Sequence, residues 1–247
     1  MFDSSQIEKF IFFDIETAGQ AESVSELSPR LETLWSTRAE FLRDHLSSKY
    51  PENAGKTDQQ LFTEKAALQA EFGRIVCISF GKVKFNEVGE PTAQIVSYIG
   101  TEEEILTQSL KLINGLCKGG VKLLGHNIKR FDIPFICKRA FIHGMEVPPA
   151  LQVWDKKPWE IAVVDTSELW SFGAWQEGFT SLDLLTAVLD VPSPKTDMKG
   201  SEVHSAFYAG EIDRIKEYCQ LDVIALINVI IRLSNLNRLE ESNIIFK

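Results

Sequence analysis

Asp14 and Glu16 stand two residues apart in FIFFDIETAG, residues 10–19, a run that is otherwise almost wholly apolar. A carboxylate in a buried strand is costly unless it is paired, hydrogen-bonded or bound to a metal. Side chains two apart on a strand leave on the same face, so this pair offers hard oxygen ligands at a strand end. Divalent cations such as Mg²⁺ select that donor type. Further acids occur in two other settings. In LLGHNIKRFDIPF a short apolar strand leads through a Gly-His-Asn turn to Phe131 and Asp132 at a helix start. In EYCQLDV, Tyr218 and Asp222 are four apart on a helix and share one face. The plain alternatives are a helix N-cap for Asp132 and a surface acid beside a half-buried tyrosine for Asp222.

The elements that must position these residues follow from hydrophobic period and stop signals. Lys9 to Ile15 reads as a buried strand, short, aromatic and β-branched. Residues 20 to about 70 are charged and helical in period, with Leu31, Leu34, Trp35, Arg38, Phe41 and Leu42 spaced at three and four. Pro51, Asn53 and Gly55 break that segment into two helical pieces, expected to pack on one side of the domain. Strands at 74–85 and 92–100 form a hairpin through NEVGEP. A capping box from Thr101 to Glu104 opens the next helix, and glycines close it. Val121 to Leu124 is a short strand, Asp132 to His143 a helix closed by Gly144, and IAVVDT (161–166) a strand. Ser181 starts a helix, and the last long helix runs from about Gly210 to Leu236. The order predicts an α/β fold with a mixed sheet, a single domain over residues 1–247 carrying a helical insertion at about 20–70.

In this order and these contexts the motifs resemble those of the DEDDy-type 3′–5′ exonucleases, which carry four acids and a tyrosine on the ribonuclease H-like fold. FDIET is similar to their first motif, HNIKRFD to their second and YCQLD to their third, Tyr-x-x-x-Asp. The likeness is to the proofreading exonuclease domains of family B DNA polymerases and their stand-alone relatives. It covers residues 9–18 and about 73–233; the 20–70 segment lies outside it, and no polymerase domain follows. The resemblance implies a five-stranded mixed sheet flanked by helices and two Mg²⁺ or Mn²⁺ ions held by Asp14, Glu16, Asp132 and Asp222. It implies that Asp14 bridges both ions, that Glu16 and Asp222 complete the first, and that Asp132 supports the second through water. Tyr218 would orient the attacking water. Thr17 is placed at the terminal nucleotide through its backbone N–H. Asn127 is placed at the substrate, with a turn residue bonding its own backbone as the alternative. Phe131 is a stacking residue or part of the core. His126 is read as structural, since this branch uses Tyr in the third motif. Lys195 and Lys199 would meet phosphates or remain solvated.

The totals fit this reading. The chain has 247 residues, 26 basic and 35 acidic side chains and a net charge of −9, which argues against a protein that coats nucleic acid electrostatically. Cys77, Cys117, Cys137 and Cys219 have no CxxC spacing and read as reduced structural thiols of a cytoplasmic protein. MFDSSQIEKF lacks the pattern of a signal peptide, and no apolar run is long enough to span a membrane. AGKT at 54–57 is a loop, not a phosphate-binding motif, because Tyr50 stands where a glycine is required. Trp154, Trp159, Trp170 and Trp175 are assigned to loop and core-edge packing ahead of a stacking surface. The expected activity is metal-dependent removal of nucleotides from 3′ ends of single-stranded or frayed DNA, as in proofreading or DNA repair. The rivals are an exoribonuclease and a catalytically silent nucleic-acid-binding module, and residues 20–70 are a candidate docking site for a protein partner.

Overall fold

A computed structural model describes residues 1–45, 49–117, 119–154, 156–157, 160–172, 180–192 and 198–247. The apolar run that opens the chain forms strand β1 (Phe10–Gly19), and its alternation explains why it is apolar on both faces. Ile11, Phe13 and Ile15 face helices α4 (Glu102–Cys117) and α5 (Asp132–Ile142), packing with Ile105, Leu106, Ile133 and Ile136. Phe10 and Phe12 face the long helix α9 (Ile212–Leu233), packing with Val223, Leu226 and Ile230. A strand covered on both sides has no solvent face on which to place polar residues. Burial of each such side chain stabilises the fold by ~1.5–3 kcal/mol relative to leaving it exposed.

β1 pairs antiparallel with β2 (Gly73–Phe85) and parallel with β4 (Lys122–Gly125). β2 pairs antiparallel with β3 (Pro91–Tyr98), and β4 parallel with β5 (Val163–Asp165). This is the mixed, helix-flanked sheet that the resemblance implies, with one addition. A sixth strand, β6 (Ile244–Phe246), pairs parallel with β3, so the order is β5-β4-β1-β2-β3-β6 rather than a sheet of five. Three residues after a loop carry too little pattern to announce a strand. β1 itself continues to Gly19, beyond the expected end at Ile15, because Thr17, Ala18 and Gly19 keep pairing with β2 after an irregularity at Glu16/Thr17. Among the described residues the remaining α-helices are α1 (Ser4–Ile7), α2 (Pro29–Glu40), α3 (Asp58–Lys65), α6 (Thr166–Ser171), α7 (Leu182–Val188) and α8 (Val203–Tyr208). Among the described residues, no helix is long and apolar enough to cross a membrane.

The segment between β1 and β2 forms the two expected helices, α2 and α3, separated by a turn at Pro51–Asn53 and by Gly55 at φ 78°. Its own small core centres on Trp35, which is fully buried, stands edge-on to Phe62 and Phe72 with ring centroids 5.0 Å away, and donates its indole N–H to the Asp58 carbonyl. Leu34 and Phe41, which share the expected period, are exposed, because Trp35, Ala39 and Leu42 already occupy the covered stripe. The segment is anchored to the sheet at the end of β1. Thr17 Oγ1 donates to the Ala67 carbonyl at 2.7 Å and the Gln20 N–H to the Phe72 carbonyl at 2.9 Å, while residues 203–208 close on the same strand end, the Gly19 N–H donating to His204 Nδ1 at 3.0 Å and the Tyr208 hydroxyl to the Gly19 carbonyl at 2.9 Å.

Nothing in the residue pattern signals the buried ion pair that fixes α4, α5 and β2 together. Glu102 accepts two bonds from Arg139, at 2.8 and 2.6 Å, one from the Ile75 N–H at 2.8 Å, and contacts His143 Nε2 at 2.9 Å. The seating of α9 depends on a different residue. A Cβ placed on Gly81 would lie 2.7 Å from Val223 Cγ1 and 3.0 Å from Ile227 Cδ1. Gly81→Val is therefore expected to lower stability by ~1–3 kcal/mol through overpacking. The midpoint of urea denaturation measures this loss.

Candidate active site

The carboxyl ends of β1 and β4 bring together residues that are far apart in sequence. Asp14 and Glu16 leave β1 toward α9, and their carboxylate oxygens lie with Cys219 Sγ of that helix within 4.8 Å of one another. The Cys219 thiol is directed at Asp14, 3.7 Å from Oδ2 and 3.5 Å from the carbonyl oxygen. Asp132 is the first residue of α5 rather than its N-cap, which is Phe131. Its carboxylate accepts from its own N–H and from the N–H of Ile15, the residue between Asp14 and Glu16 in the strand. On α9, the Tyr218 hydroxyl donates to the Asp222 carboxylate one turn away.

Burial and mutual repulsion push these acids toward their neutral forms. Asp14 is raised well above the ordinary carboxylate range by burial, then by Asp222 and Asp132. Glu16, 7% exposed, is raised by burial, then by Asp14 and Asp222. Burial raises Asp132 to about 7 against the opposing effect of its two N–H partners. Asp222 rises to about 6 by burial, partly offset by the Tyr218 hydroxyl. Burial and the surrounding carboxylates also raise Tyr218, so it stays a protonated donor. A cluster of desolvated carboxylates is the donor set that a hard divalent cation fits, because such an ion reverses the repulsion. Asp14, Glu16, Asp132 and Asp222 could hold such ions.

A small cavity of about 160 Å³ opens beside the acids, lined by Glu16, Thr17, Phe131 and Ser201 and, from the segment before β2, by Ala67 and Leu68. The Tyr218 hydroxyl lies 3.9 Å from where a Cβ on Gly200 would stand, at the edge of the same cavity. Thr17 and Phe131 thus line space next to the carboxylates. Asn127 is in the left-handed conformation at φ 62°, its N–H donating to Asp165 Oδ1 and its carbonyl accepting from Arg130 and Phe131, the geometry of a turn residue. His126 bridges Thr166 Oγ1 and the Thr180 carbonyl, each at 2.8 Å, as a structural residue does. Lys199 is exposed, and Thr57 of AGKT caps α3. Trp154 is exposed and Trp170 half-buried, whereas Trp159, Trp175 and Lys195 lie outside the described residues. Cys77, Cys137 and Cys219 are buried free thiols.

Two residues of this neighbourhood escape a reading of the sequence. Asp165 is buried and accepts the N–H groups of Asn127, Lys129 and Ser167, which shapes the turn leading into Asp132. Its signal is an acid closing an apolar strand, IAVVD, as Asp14 follows FIFF. Cys219 sits inside the YCQLD motif, and only its approach to Asp14 sets it apart from an ordinary core thiol.

Asp132 holds its proton to about pH 7 in the fold but ionises near its ordinary value of 3.8 when unfolded. Its contribution to stability is therefore fully present below about pH 4 and is lost as pH rises toward 7. Asp132→Asn in EDTA should gain on the parent protein across that interval, by up to ~1.4 kcal/mol for each pH step of one, and the gap should stay constant above it. Urea denaturation at pH 4, 5.5, 7 and 8 measures the gap.

The sequence matches, over residues 65–243, a family described as predicted 3′–5′ exonucleases related to the exonuclease domain of PolB. The matched residues include Asp132, Tyr218 and Asp222 but not Asp14 or Glu16. No curated protein matches the sequence. Among solved structures, the family B DNA polymerase from the hyperthermophilic archaeon Pyrobaculum calidifontis aligns with 92% of this chain at 12% identity and a TM-score of 0.47. The chain covers 24% of that polymerase. With well over half of its length matched, this chain belongs to the family of predicted 3′–5′ exonucleases related to the exonuclease domain of PolB.

Proposed function

We propose that the protein is a metal-dependent 3′–5′ exonuclease that removes nucleoside monophosphates from single-stranded or frayed DNA ends, in the cytoplasm, in the service of proofreading or repair. The observation that carries this reading is the desolvated pair Asp14 and Glu16, with Asp132 and Asp222 near enough to repel it and Tyr218 bonded to Asp222. Asp14, Glu16, Asp132 and Asp222 would hold two Mg²⁺ or Mn²⁺ ions. Bound there, the ions supply Lewis-acid stabilisation of the attacking and leaving oxygens of an in-line displacement at phosphorus.

The protein's own groups do the rest. Tyr218, kept protonated by its surroundings and fixed by its bond to Asp222, orients the attacking water rather than deprotonating it. The cavity beside Glu16 receives the terminal nucleotide, with the Thr17 backbone at its sugar and Phe131 against its base. Asn127, whose backbone N–H is held by Asp165 in the turn before α5, would meet the substrate through its side chain. With the five residues of the motifs intact, a silent binding module has less in its favour than an enzyme.

Labelled single-stranded DNA and RNA of equal sequence, incubated with Mg²⁺, Mn²⁺ or EDTA, test the reading on a denaturing gel. The expected result is a metal-dependent ladder shrinking from the 3′ end of DNA. Asp14→Ala should lower its rate at least ~100-fold and Tyr218→Phe at least ~10-fold, the scale of losing one positioned group. Preferential loss of RNA would make the protein an exoribonuclease, and no cleavage by a folded protein would leave a binding module.

A further inference from the structure

Beside the cavity at the acids lies a larger one of about 460 Å³, between α5 and the turn that ends the segment before β2. Leu68 and Phe131 line both, so the two adjoin across that pair of side chains. Leu68 is 58% exposed, an apolar side chain held in the open at the junction. The wall of the larger cavity carries three cations, Arg38, Arg130 and Lys138, against one carboxylate, Glu71. That excess stands out in a chain of net charge −9. The cations come from separate parts of the fold: Arg38 from α2, Arg130 from the turn before α5, and Lys138 from the middle of α5.

Two of these cations have partners compatible with a polyanion. Arg38 Nε donates to the neutral Gln69 Oε1 at 2.6 Å, which fixes the guanidinium without neutralising it, and Glu71 is the carboxylate that feels its charge. Lys138 Nζ lies 2.9 Å from Glu71 Oε1, a pair more than half exposed on both sides and therefore weak. The volume is within the ordinary range of ligand sites, roughly 300–1,000 Å³, and suits a short unpaired stretch of chain.

We propose that this groove holds the single strand upstream of the scissile bond, with Arg38, Arg130 and Lys138 contacting its phosphates and Leu68 and Phe131 packing against the bases where the strand turns into the acidic site. The inference rests on the exonuclease reading and adds a strand path to it. It assigns the segment between β1 and β2 to substrate binding: α2 supplies a phosphate contact, and the turn after α3 supplies the apolar gate. Cations at a distance from the acids also explain how a protein of this net charge grips a polyanion at all, since contacts to phosphates are made locally.

The test uses the full chain, Arg38→Glu/Lys138→Glu and the charge-neutral Arg38→Gln/Lys138→Gln, with circular dichroism and melting temperature as checks of folding. Hydrolysis of p-nitrophenyl thymidine 5′-phosphate, which has no upstream strand, reports the acidic site alone. Oligothymidylates of two to twelve nucleotides report the groove, and fluorescence anisotropy of labelled twelve-nucleotide oligothymidylate in EDTA reports binding without turnover. The expected result is a parent kcat/KM that rises with length. In the glutamate variant the longest substrate should lose about tenfold or more while the ester is unchanged, and the salt slope of binding should fall by about two. The glutamine variant should lie between. Equal losses on ester and oligonucleotide, or binding of the labelled strand unaffected by either variant, would overturn the groove. If the parent protein hydrolyses neither substrate, the exonuclease reading fails, and anisotropy still decides whether the groove binds a strand.

Discussion

Strand β1 is buried on both faces by apolar side chains and yet must carry two carboxylates, the half-buried Asp14 and the buried Glu16, among them. Desolvation and repulsion among Asp14, Glu16, Asp132 and Asp222 oppose the fold, and each neighbouring element offsets part of that cost. The Ile15 N–H is lent to Asp132, the Tyr218 hydroxyl to Asp222, and the Cys219 thiol to Asp14. What these donors leave uncompensated is the electrostatic demand that a divalent cation satisfies. Binding of such a cation would therefore be linked to folding.

Keeping the acids at their separations requires a rigid frame around them. The buried Glu102–Arg139 pair, with the Ile75 N–H and His143, locks α5 to α4 and β2, and so sets where Asp132 begins its helix. On the opposite face the absence of a side chain at Gly81 lets α9 approach the sheet closely, which sets the height of Tyr218 and Asp222. Asp165 plays a corresponding part for the turn before α5 by gathering three backbone N–H groups around one carboxylate. None of these residues needs to touch a substrate for its loss to be felt at the acids.

The segment between β1 and β2 has a core of its own around Trp35 but is not independent of the site. Its last turn is tied to Thr17, the residue after Glu16, and its neighbours Gly19, His204 and Tyr208 close the same corner. Leu68 and Arg38 are thereby held at fixed positions beside Phe131. In the sequence this segment offers only a helical period, and one that is half-right. Leu34 and Phe41 fit the period yet are exposed, because a spacing of three and four defines a stripe broader than the face Trp35 and Ala39 need.

The amino-acid sequence by itself determined the acids, the tyrosine and the elements that bear them. Asp14 and Glu16, or Tyr218 and Asp222, are related by the local geometry of one strand or one helix, and that geometry is fixed by spacing alone. The unbroken apolar run of β1 likewise announced a strand covered on both faces. Only the tertiary structure decided what lies between elements: the sixth strand on the edge of β3, the continuation of β1 to Gly19, the approach of Cys219 to Asp14, and the joining of Leu68 to Phe131. Each of these depends on residues far apart in the chain, whose meeting is set by packing and by the pairing of backbone groups across the sheet. No local period encodes such a contact, because its energy belongs to the pair and not to either segment.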